Sequence, residues 1–258
     1  MERFELKIIF EWSFAMRSLT GLVVFLLLSF SLLAENNFQT DVIKTSAGDL
    51  KITFVGHASL IFEFNKRIIY VDPVSKYADY SKLPKADLIL ITHEHGDHLD
   101  SKAIELIKKD GTKLFCNESS FPTVAGGSVL KNGETASYKG IKILAVPAYN
   151  IVNKRENGEL FHPEGIGNGY VLTFANVKVY IAGDTENIPE MRNLRNIDIA
   201  FLPMNLPYTM TPVMVADAVK MFNPKILYPY HTGNTEVNEL VKLLKGKKDC
   251  EVRIRKMK

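Results

Sequence analysis

Short apolar runs alternate with turn-forming residues from residue 50 onwards, and this pattern predicts a chain rich in strands. Two of the runs, at residues 87–92 and 197–203, are almost wholly apolar, which is typical of strands buried on both faces of a sheet. The predicted strands lie at residues 50–55, 59–64, 67–72, 87–92, 141–148, 168–174, 177–183, 197–203, 225–230 and 251–255.

Helices are predicted where apolar residues recur every three or four positions, at residues 101–110, 211–222 and 234–246. Asp100 or Ser101 can cap the first helix, and Thr211 followed by Pro212 is a typical start for the second. Because each strand-rich half is followed by helices, the pattern predicts two packed sheets with helices outside them.

The N-terminal segment has a different pattern, because residues 19–34 are apolar throughout most of their length and follow Arg17. This order is typical of a secretory signal, and the run is short for a membrane span, which needs about 20 residues. Leu32 stands where a small residue is preferred before a cut after Ala34, so an uncleaved anchor stays open.

We therefore interpret residues 1–34 as a signal peptide or N-terminal anchor, 35–49 as a short leader, and 50–258 as one domain. The protein is expected to be exported to the periplasm or the medium, or held at a membrane by this segment.

Charge argues against a nucleic-acid partner, since 32 basic and 29 acidic residues are interspersed and give a net charge of +3. The sequence contains two cysteines, Cys116 and Cys250. In an exported protein they could form one disulfide, and the sequence leaves two free thiols equally open.

The densest chemistry lies in the segment THEHGDHLD, residues 92–100, which holds three of the six histidines of the chain. An extended chain entering this segment places His93 and His95 on one side, and Asp97 with His98 follow as the chain turns. Imidazole and carboxylate together suit borderline divalent metals, with Zn²⁺ first and Mn²⁺ or Fe²⁺ also fitting.

Two other chemically suitable residues come directly after apolar runs. Asp184 follows the run at 177–183, and His231 follows the run at 225–230. Each is a weak signal alone, but strand ends are rigid places from which to present a metal ligand.

These residues carry a family resemblance. The spacing His93-x-His95-x-Asp97-His98, with the later Asp184 and His231, resembles that of the metallo-β-lactamase-fold hydrolases. The segments VGHASLIFEF and IIYVDP are similar to the opening of the branch that contains ascorbate-phosphate lactonase and N-acylphosphatidylethanolamine phospholipase D. The resemblance covers residues 50–255 and implies an α+β fold, a four-layer αββα sandwich, with two metal ions at one edge of the sheets.

The resemblance also implies a ligand set. His93 and His95 would hold the first metal, Asp97, His98 and His231 the second, and Asp184 would bridge both. The family has one more histidine soon after a strand like 141–148, where this chain has Asn150. His162 is the one histidine between His98 and Asp184, so we expect it to complete the first site, with Asn150 as a weak ligand or a site of fewer ligands left open.

Three further residues are candidates for supporting roles. His57 is expected outside the ligand set, as a contact to a ligand or the substrate, or as a structural hydrogen bond. Asp72 is expected to orient a ligand imidazole, and Tyr208 to line the mouth of the site.

The resemblance implies a hydrolase in which a hydroxide bridging two metals cleaves a phosphodiester, a lactone or a related ester, of a small molecule or a lipid-like substrate. Asp97 or Asp184 would pass a proton to the leaving group. Two alternatives remain open at this stage, a non-haem di-iron redox protein on the same fold and a non-catalytic binding member. The oligomeric state is not predicted.

Overall fold

The computed structural model describes residues 38–124 and 126–257, and in these the chain forms two seven-stranded sheets and three α-helices. The strands of the first sheet are β1 (Gln39–Thr45), β2 (Gly48–Gly56), β3 (Ser59–Phe64), β4 (Arg67–Val71), β5 (Leu88–Leu90), β6 (Lys113–Cys116) and β7 (Ser128–Val129). The strands of the second sheet are β8 (Thr135–Tyr138), β9 (Ile141–Ala148), β10 (Gly167–Phe174), β11 (Val177–Ile181), β12 (Ile199–Pro203), β13 (Ile226–Tyr230) and β14 (Glu251–Val252). The helices are α1 (Ser101–Ile107), α2 (Pro212–Phe222) and α3 (Val237–Leu243).

The two halves of the chain have the same topology. In each sheet the strands lie side by side in chain order, from β1 to β7 and from β8 to β14. In each, the first four strands pair antiparallel and the last four pair parallel. The carboxyl ends of the parallel strands in a sheet therefore meet at one edge, where α/β proteins commonly bind ligands.

Successive side chains of a central strand alternate between the two faces of its sheet, so that one sheet contributes to two hydrophobic cores. In β12, Ile199 and Phe201 face the core between the sheets, while Ala200 and Leu202 face the helices. Successive side chains of a strand point to opposite faces, so a strand buried on both sides must be apolar at nearly every position. The prediction of a doubly buried strand at 197–203 is confirmed.

The layers follow from three separate clusters of buried side chains. Aromatic rings from both sheets fill the middle, where the centroids of Phe54 and Tyr228 lie 5.0 Å apart. On the outer faces, α1 covers the first sheet through Ile104, and α2 with α3 covers the second through Val219 and Leu240. The order is helix, sheet, sheet, helix, which confirms the αββα sandwich.

Local capping confirms where two helices start. The Asp100 side chain accepts hydrogen bonds from the backbone N–H groups of Lys102 and Ala103 at the start of α1. The Thr211 side chain accepts from the N–H of Met214 at the start of α2. Both side chains satisfy donors that the first turn of a helix leaves unpaired.

The N-terminal boundary of the domain differs from the prediction. Residues 39–45, placed in a leader of 35–49, form β1 and pair along β2. The segment gave no apolar signal because β1 lies at the edge of its sheet and several of its side chains are exposed. Strands β6, β7 and β8 were also missed, since each has four residues or fewer and too few positions to show a period.

The predicted signal peptide or anchor at 1–34 lies outside the described residues. Within residues 38–257, apart from 125, no helix has the length and apolar character needed to cross a membrane. Cys116 and Cys250 are both buried free thiols, so of the two alternatives for these cysteines the structure has the unpaired one.

A charged cluster joins the first strand to the C-terminal segment. The Asp41 carboxylate in β1 accepts hydrogen bonds from the Arg255 guanidinium, at 2.8 Å and 2.6 Å from Nη2, and from the Tyr228 hydroxyl in β13. Burial alone would raise the pKa of Asp41, but Tyr228 and Arg255 hold it below its ordinary value of 3.8. The cluster ties β1 of one sheet to β13 of the other.

We predict that Arg255→Ala lowers the free energy of unfolding by about 1.5–3 kcal/mol, because it removes charged hydrogen bonds to a largely buried carboxylate. Urea denaturation at neutral pH measures this. Lys44→Ala is the matched control, since Lys44 and its partner Asp49 are 83% and 51% exposed and such pairs contribute little.

Wild type and Arg255→Ala also give a pH test of this cluster. A carboxyl group with a lowered pKa stabilises the fold above its unfolded-state pKa, and this contribution is lost as the pH falls through the folded-state value. The stability difference between wild type and Arg255→Ala should shrink below about pH 4. A difference that stays constant into stronger acid would contradict the account.

Candidate metal centre

The candidate ligands come from the carboxyl ends of parallel strands in both sheets. In chain order, Asp72 follows β4, the segment His93 to His98 follows β5, Asp184 is the third residue after β11, and His231 follows β13. The loop between β9 and β10 adds Asn150 and His162, and the turn between β2 and β3 adds His57. The structure therefore gathers at one edge residues that are far apart in the sequence.

The turn after β5 is held by a buried carboxylate. Asp72 accepts hydrogen bonds from the Thr92 N–H at 2.8 Å, from the Thr92 hydroxyl at 2.7 Å and from Nδ1 of His98 at 2.8 Å. With Nδ1 directed at Asp72, the ring of His98 is held with Nε2 towards the site. Asp72 thus has the contact that the sequence predicted for a carboxylate orienting an imidazole.

Gly183 brings Asp184 close to that turn. Its φ is +66°, in the left-handed region, and an added Cβ would lie 2.6 Å from the Asn168 carbonyl oxygen and 3.2 Å from Cβ of Thr92. Only a residue without a side chain fits both the conformation and the space. The Gly-Asp order is therefore a packing requirement of the site.

Asp184 lies at the centre of the imidazoles. Its Oδ2 is 3.3 Å from Nε2 of His162, 3.4 Å from Nε2 of His231 and 4.0 Å from Nε2 of His93. Its Oδ1 is 3.4 Å from Nε2 of His98. One buried carboxylate therefore faces four imidazoles, which come from three different parts of the chain.

His93, His95 and His162 form one group of potential ligands, with one nitrogen from each within 4.8 Å of the others. His93, His98 and Asp184 form a second group by the same measure. His93 belongs to both groups, and Asp184 of the second lies 3.3 Å from His162 of the first, so the two groups adjoin each other.

A chain of buried polar contacts places His162 in the first group. The Asn150 side-chain oxygen accepts from the backbone N–H of His162 at 2.8 Å and lies 2.7 Å from Nδ1. The Asn150 amide nitrogen donates to Glu186 at 3.1 Å and to the Tyr208 carbonyl at 2.9 Å. Because both ends of the Asn150 amide have partners in the protein, the geometry favours a role in orienting His162.

Glu186 fixes the start of the same loop. Its carboxylate accepts from the backbone N–H groups of Ile151, Val152 and Asn153, at 2.8, 2.8 and 2.7 Å. Such a buried carboxylate satisfies donors that would otherwise be unpaired. Sequence analysis gave Glu186 no role. The one signal for it was its position, as an acidic residue two places after Asp184.

A third group contains His57, Asp97, His98 and His231. Nε2 of His57 lies 3.0 Å from Oδ2 of Asp97, and Nε2 of His231 lies 3.4 Å from the same oxygen. His57, which was expected outside the ligand set, is thus in direct contact with an expected ligand, and its ring stacks on Tyr77 at 5.4 Å.

Backbone contacts also connect these histidines to the C-terminal segment. The His57 N–H donates to the Met257 carbonyl at 2.8 Å, and the His231 N–H donates to the His57 carbonyl at 3.0 Å. His57 and His231 both have positive φ, +54° and +47°. Non-glycine residues rarely take this conformation, and functional sites are where it often occurs.

Burial and charge set the protonation of the cluster. Burial, aided by His98 for His93 and by His162 for His95, lowers the pKa of both imidazoles. Burial alone would raise the pKa of Asp184, but His231 and His98 lower it well below its ordinary value. His93 and His95 are therefore neutral and Asp184 is ionised, as metal ligands must be.

His98 reports the excess of negative charge in the site. Burial opposes a charge on its ring, yet the carboxylates of Asp184 and Asp72 outweigh burial and raise the pKa of His98 to about 9. Contacts with His231 and His57 likewise overcome burial and hold the pKa of Asp97 well below its ordinary value. Such surroundings favour a cation.

Unpaired buried atoms test whether a metal fits this place. His98 Nε2, Asp184 Oδ1 and both ring nitrogens of His231 are buried without a hydrogen-bond partner among the described residues. Buried polar atoms are normally paired, and those left over at a site call for an ion or water. The atoms are imidazole nitrogens and a carboxylate oxygen, a donor set that fits a divalent metal such as Zn²⁺.

Two cavities reach the cluster. The larger cavity, about 500 Å³, is lined by His93 and Asp184 together with apolar residues such as Leu160 and Ile166. The smaller cavity, about 410 Å³, is lined by Asp97, His231, Asn205 and Tyr208, among others. Tyr208 therefore lines the smaller cavity, and its role at the mouth of the site stays a prediction.

The structure thus brings together every residue of the expected ligand set, and their roles as ligands stay predictions. Thr92, whose backbone and hydroxyl both contact Asp72, was given no role from the sequence. A hydroxyl residue ending an apolar strand is too common to single it out.

A family model and a sequence relative each match most of this chain. A family model described as a Beta-lactamase superfamily domain matches residues 51–231. A UPF0173 metal-dependent hydrolase of Methanopyrus kandleri is 32% identical over 197 residues, covering 71% of this chain and 84% of that protein.

Solved structures named as metal-dependent hydrolases also match this chain, here by fold. The crystal structure of a protein from Parabacteroides distasonis, named as a candidate metal-dependent hydrolase, has a TM-score of 0.82 and 54% identity, covering 86% of this chain and 100% of that one. A metallo hydrolase of the archaeon Ignicoccus hospitalis has a TM-score of 0.67 and 26% identity, covering 81% and 95%.

We predict that Asn150→Ala weakens metal binding by about 10- to 100-fold, because His162 loses the partner that fixes its ring. Titration of metal-free protein with Zn²⁺ against a chromophoric chelator measures this. Asn157→Ala in the same loop is the control, since Asn157 is exposed and the described hydrogen bonds of its side chain join it to Glu159. Equal affinities for the two variants would show that Asn150 does not orient the ligand.

Proposed function

The chain belongs to the family of the beta-lactamase superfamily domain and is a metal-dependent hydrolase, and from this we propose that it uses two metal ions to cleave an ester. The proposed substrates are a phosphodiester, a lactone or a related ester, of a small molecule or a lipid-like compound. Zn²⁺ is the first choice of metal, with Mn²⁺ and Fe²⁺ as the other candidates.

The observation that carries this proposal is the arrangement of imidazoles around Asp184. His93, His95 and His162 would hold one ion, and Asp97, His98 and His231 the other. Asp184 would serve both, since Oδ2 faces His162 and Oδ1 faces His98 at 3.3 and 3.4 Å. With a single metal ion, the potential ligands of one of these two groups would hold no metal.

Two ions held in this way would lower the pKa of water and stabilise negative charge on the reacting oxygens. The protein supplies their orientation. Asp72 fixes the ring of His98 and Asn150 fixes the ring of His162, so that each presents Nε2 to the site.

Asp97 and Asp184 are the proposed catalytic carboxylates. The Asp97 side chain is 43% exposed and that of Asp184 is 4% exposed, so Asp97 is the one that meets entering water. Its lowered pKa keeps it ionised. We assign to Asp97 the transfer of a proton towards the leaving group and to Asp184 the placement of the reacting centre.

An iron redox protein is the competing function, because imidazole and carboxylate also suit Fe²⁺. It predicts iron in the purified protein and no ester hydrolysis with any metal. A non-catalytic binding member predicts metal without hydrolysis.

We also propose export, on the pattern of residues 1–34 alone. Cell fractionation tests this, and recovery of the full-length chain from the cytosol would contradict it.

We predict that the purified protein carries about two metal ions per chain and that Asp184→Ala lowers hydrolysis by at least about 100-fold. The assay is elemental analysis followed by a panel of bis(p-nitrophenyl) phosphate, a thioester and a lactone. Treatment with a chelator should abolish activity, and added Zn²⁺ should restore it.

Asp198→Ala is the control for this experiment, because Asp198 lies before β12 and pairs with Lys225, outside the cluster. It should keep full activity. Unchanged hydrolysis in Asp184→Ala, or in fully metal-free protein, would refute the proposal.

A further inference from the structure

The candidate metal centre opens into two cavities, and their shared lining shows where they meet. The residues that line both cavities are His95, Arg155, Phe161, His162 and Asp184. Asp184 is thus accessible from the larger cavity and from the smaller one. A substrate whose reacting atom lies at Asp184 can extend in two directions.

The two cavities differ in what they offer a bound group. Leu160, Pro163 and Ile166 give the larger cavity an apolar wall. The smaller cavity has Tyr208 and Asn205 beside the metal cluster. Each has a volume within the usual range for a small-molecule site, about 300–1,000 Å³, so each can hold an organic group.

Arg155 lies on the wall common to both. Its guanidinium lies over the ring of Phe161, 5.1 Å from the centroid, and Phe161 in turn packs edge-on against Tyr208 at 5.0 Å. Among the described residues that line either cavity, Arg155 is the only lysine or arginine. Stacking on an aromatic ring holds the planar group in place above the site.

The guanidinium retains donors for a ligand. Its described side-chain hydrogen bond runs from Nη2 to the Phe161 carbonyl at 3.4 Å, and a guanidinium has five N–H groups in a fixed plane. This fork matches two oxygens of a phosphate better than it matches the single carbonyl oxygen of a neutral ester.

We propose that the substrate is a phosphodiester with two organic arms, one in each cavity, and that Arg155 binds its anionic oxygens. This rests on the proposed function and narrows its substrate class. Water adds to phosphorus, one P–O ester bond breaks, and the departing oxygen takes a proton from the water. A phosphodiester and water give a phosphomonoester and an alcohol. A lactone is neutral and a phosphomonoester has one arm, so neither uses Arg155 and both cavities together.

The first test replaces the charge. Arg155→Ala in the metal-loaded enzyme should raise KM for bis(p-nitrophenyl) phosphate by roughly 10- to 100-fold, the loss expected for a charged hydrogen bond. Hydrolysis of the neutral ester p-nitrophenyl acetate should stay within about twofold. Lys154→Ala is the matched control, because it removes an adjacent cation that lines neither cavity, and Arg155→Lys should restore part of the affinity.

The second test concerns the two arms. Ile166→Trp narrows the larger cavity. The substitution leaves the Ile166 backbone carbonyl free to accept its hydrogen bond from the Asn117 side chain. This variant should lower kcat/KM for bis(p-nitrophenyl) phosphate by roughly tenfold and that for methyl p-nitrophenyl phosphate by less than about twofold, since a methyl arm needs little room. Unchanged metal content and acetate hydrolysis show that the variant is folded.

The outcomes separate this inference from the proposed function. If Arg155→Ala affects the diester and the neutral ester equally, or neither, or if Ile166→Trp treats both diesters alike, the two-armed phosphodiester is refuted while ester hydrolysis stands. If the metal-loaded wild type cleaves no ester in the panel, the proposed function itself fails.

Discussion

The structure depends on a buried carboxylate among imidazoles, because Asp184 cannot remain ionised inside the protein without compensating groups around it. Those groups come from the turn after β5, the end of β13 and the β9–β10 loop, so both sheets must pack in one register for the site to exist. The αββα sandwich provides that register, with the aromatic core between the sheets holding their parallel-strand edges together.

Around this centre, a further layer of polar side chains fixes each potential ligand. Asp72 holds His98 and the Thr92 backbone, while Glu186 and Asn150 hold the loop that carries His162. Buried polar groups are costly unless they are paired, so each of these contacts also restricts the positions that the backbone can take. Nε2 of His98 and Oδ1 of Asp184, both buried without a hydrogen-bond partner among the described residues, lie 3.4 Å apart in this centre.

The repeated topology of the two sheets gives a structural reason for the placement of two carboxylates. Asp72 follows β4 and Asp184 follows β11, which are the fourth strands of their sheets and the points where antiparallel pairing changes to parallel pairing. Asp72 supports His98, whereas Asp184 lies at the centre of the cluster. The asymmetry of the site therefore comes from the loops, since only the second half has the long connection that delivers His162.

The sequence by itself determined what local chemistry decides: the buried central strands, the caps of α1 and α2, and the His93 to His98 cluster, because apolar period and ligand spacing act within a few residues. It also gave Asp184 and His231 from their positions after apolar strands. Only the tertiary structure decided that β1 belongs to the domain, that His162 reaches Asp184 while Asn150 orients it, and that Glu186 fixes the loop. The contacts that fix the β9–β10 loop join residues 12 positions apart, as in Asn150 and His162, or 36 positions apart, as in Asn150 and Glu186. No local period encodes such a contact, because it is set by how two sheets and a loop pack in space.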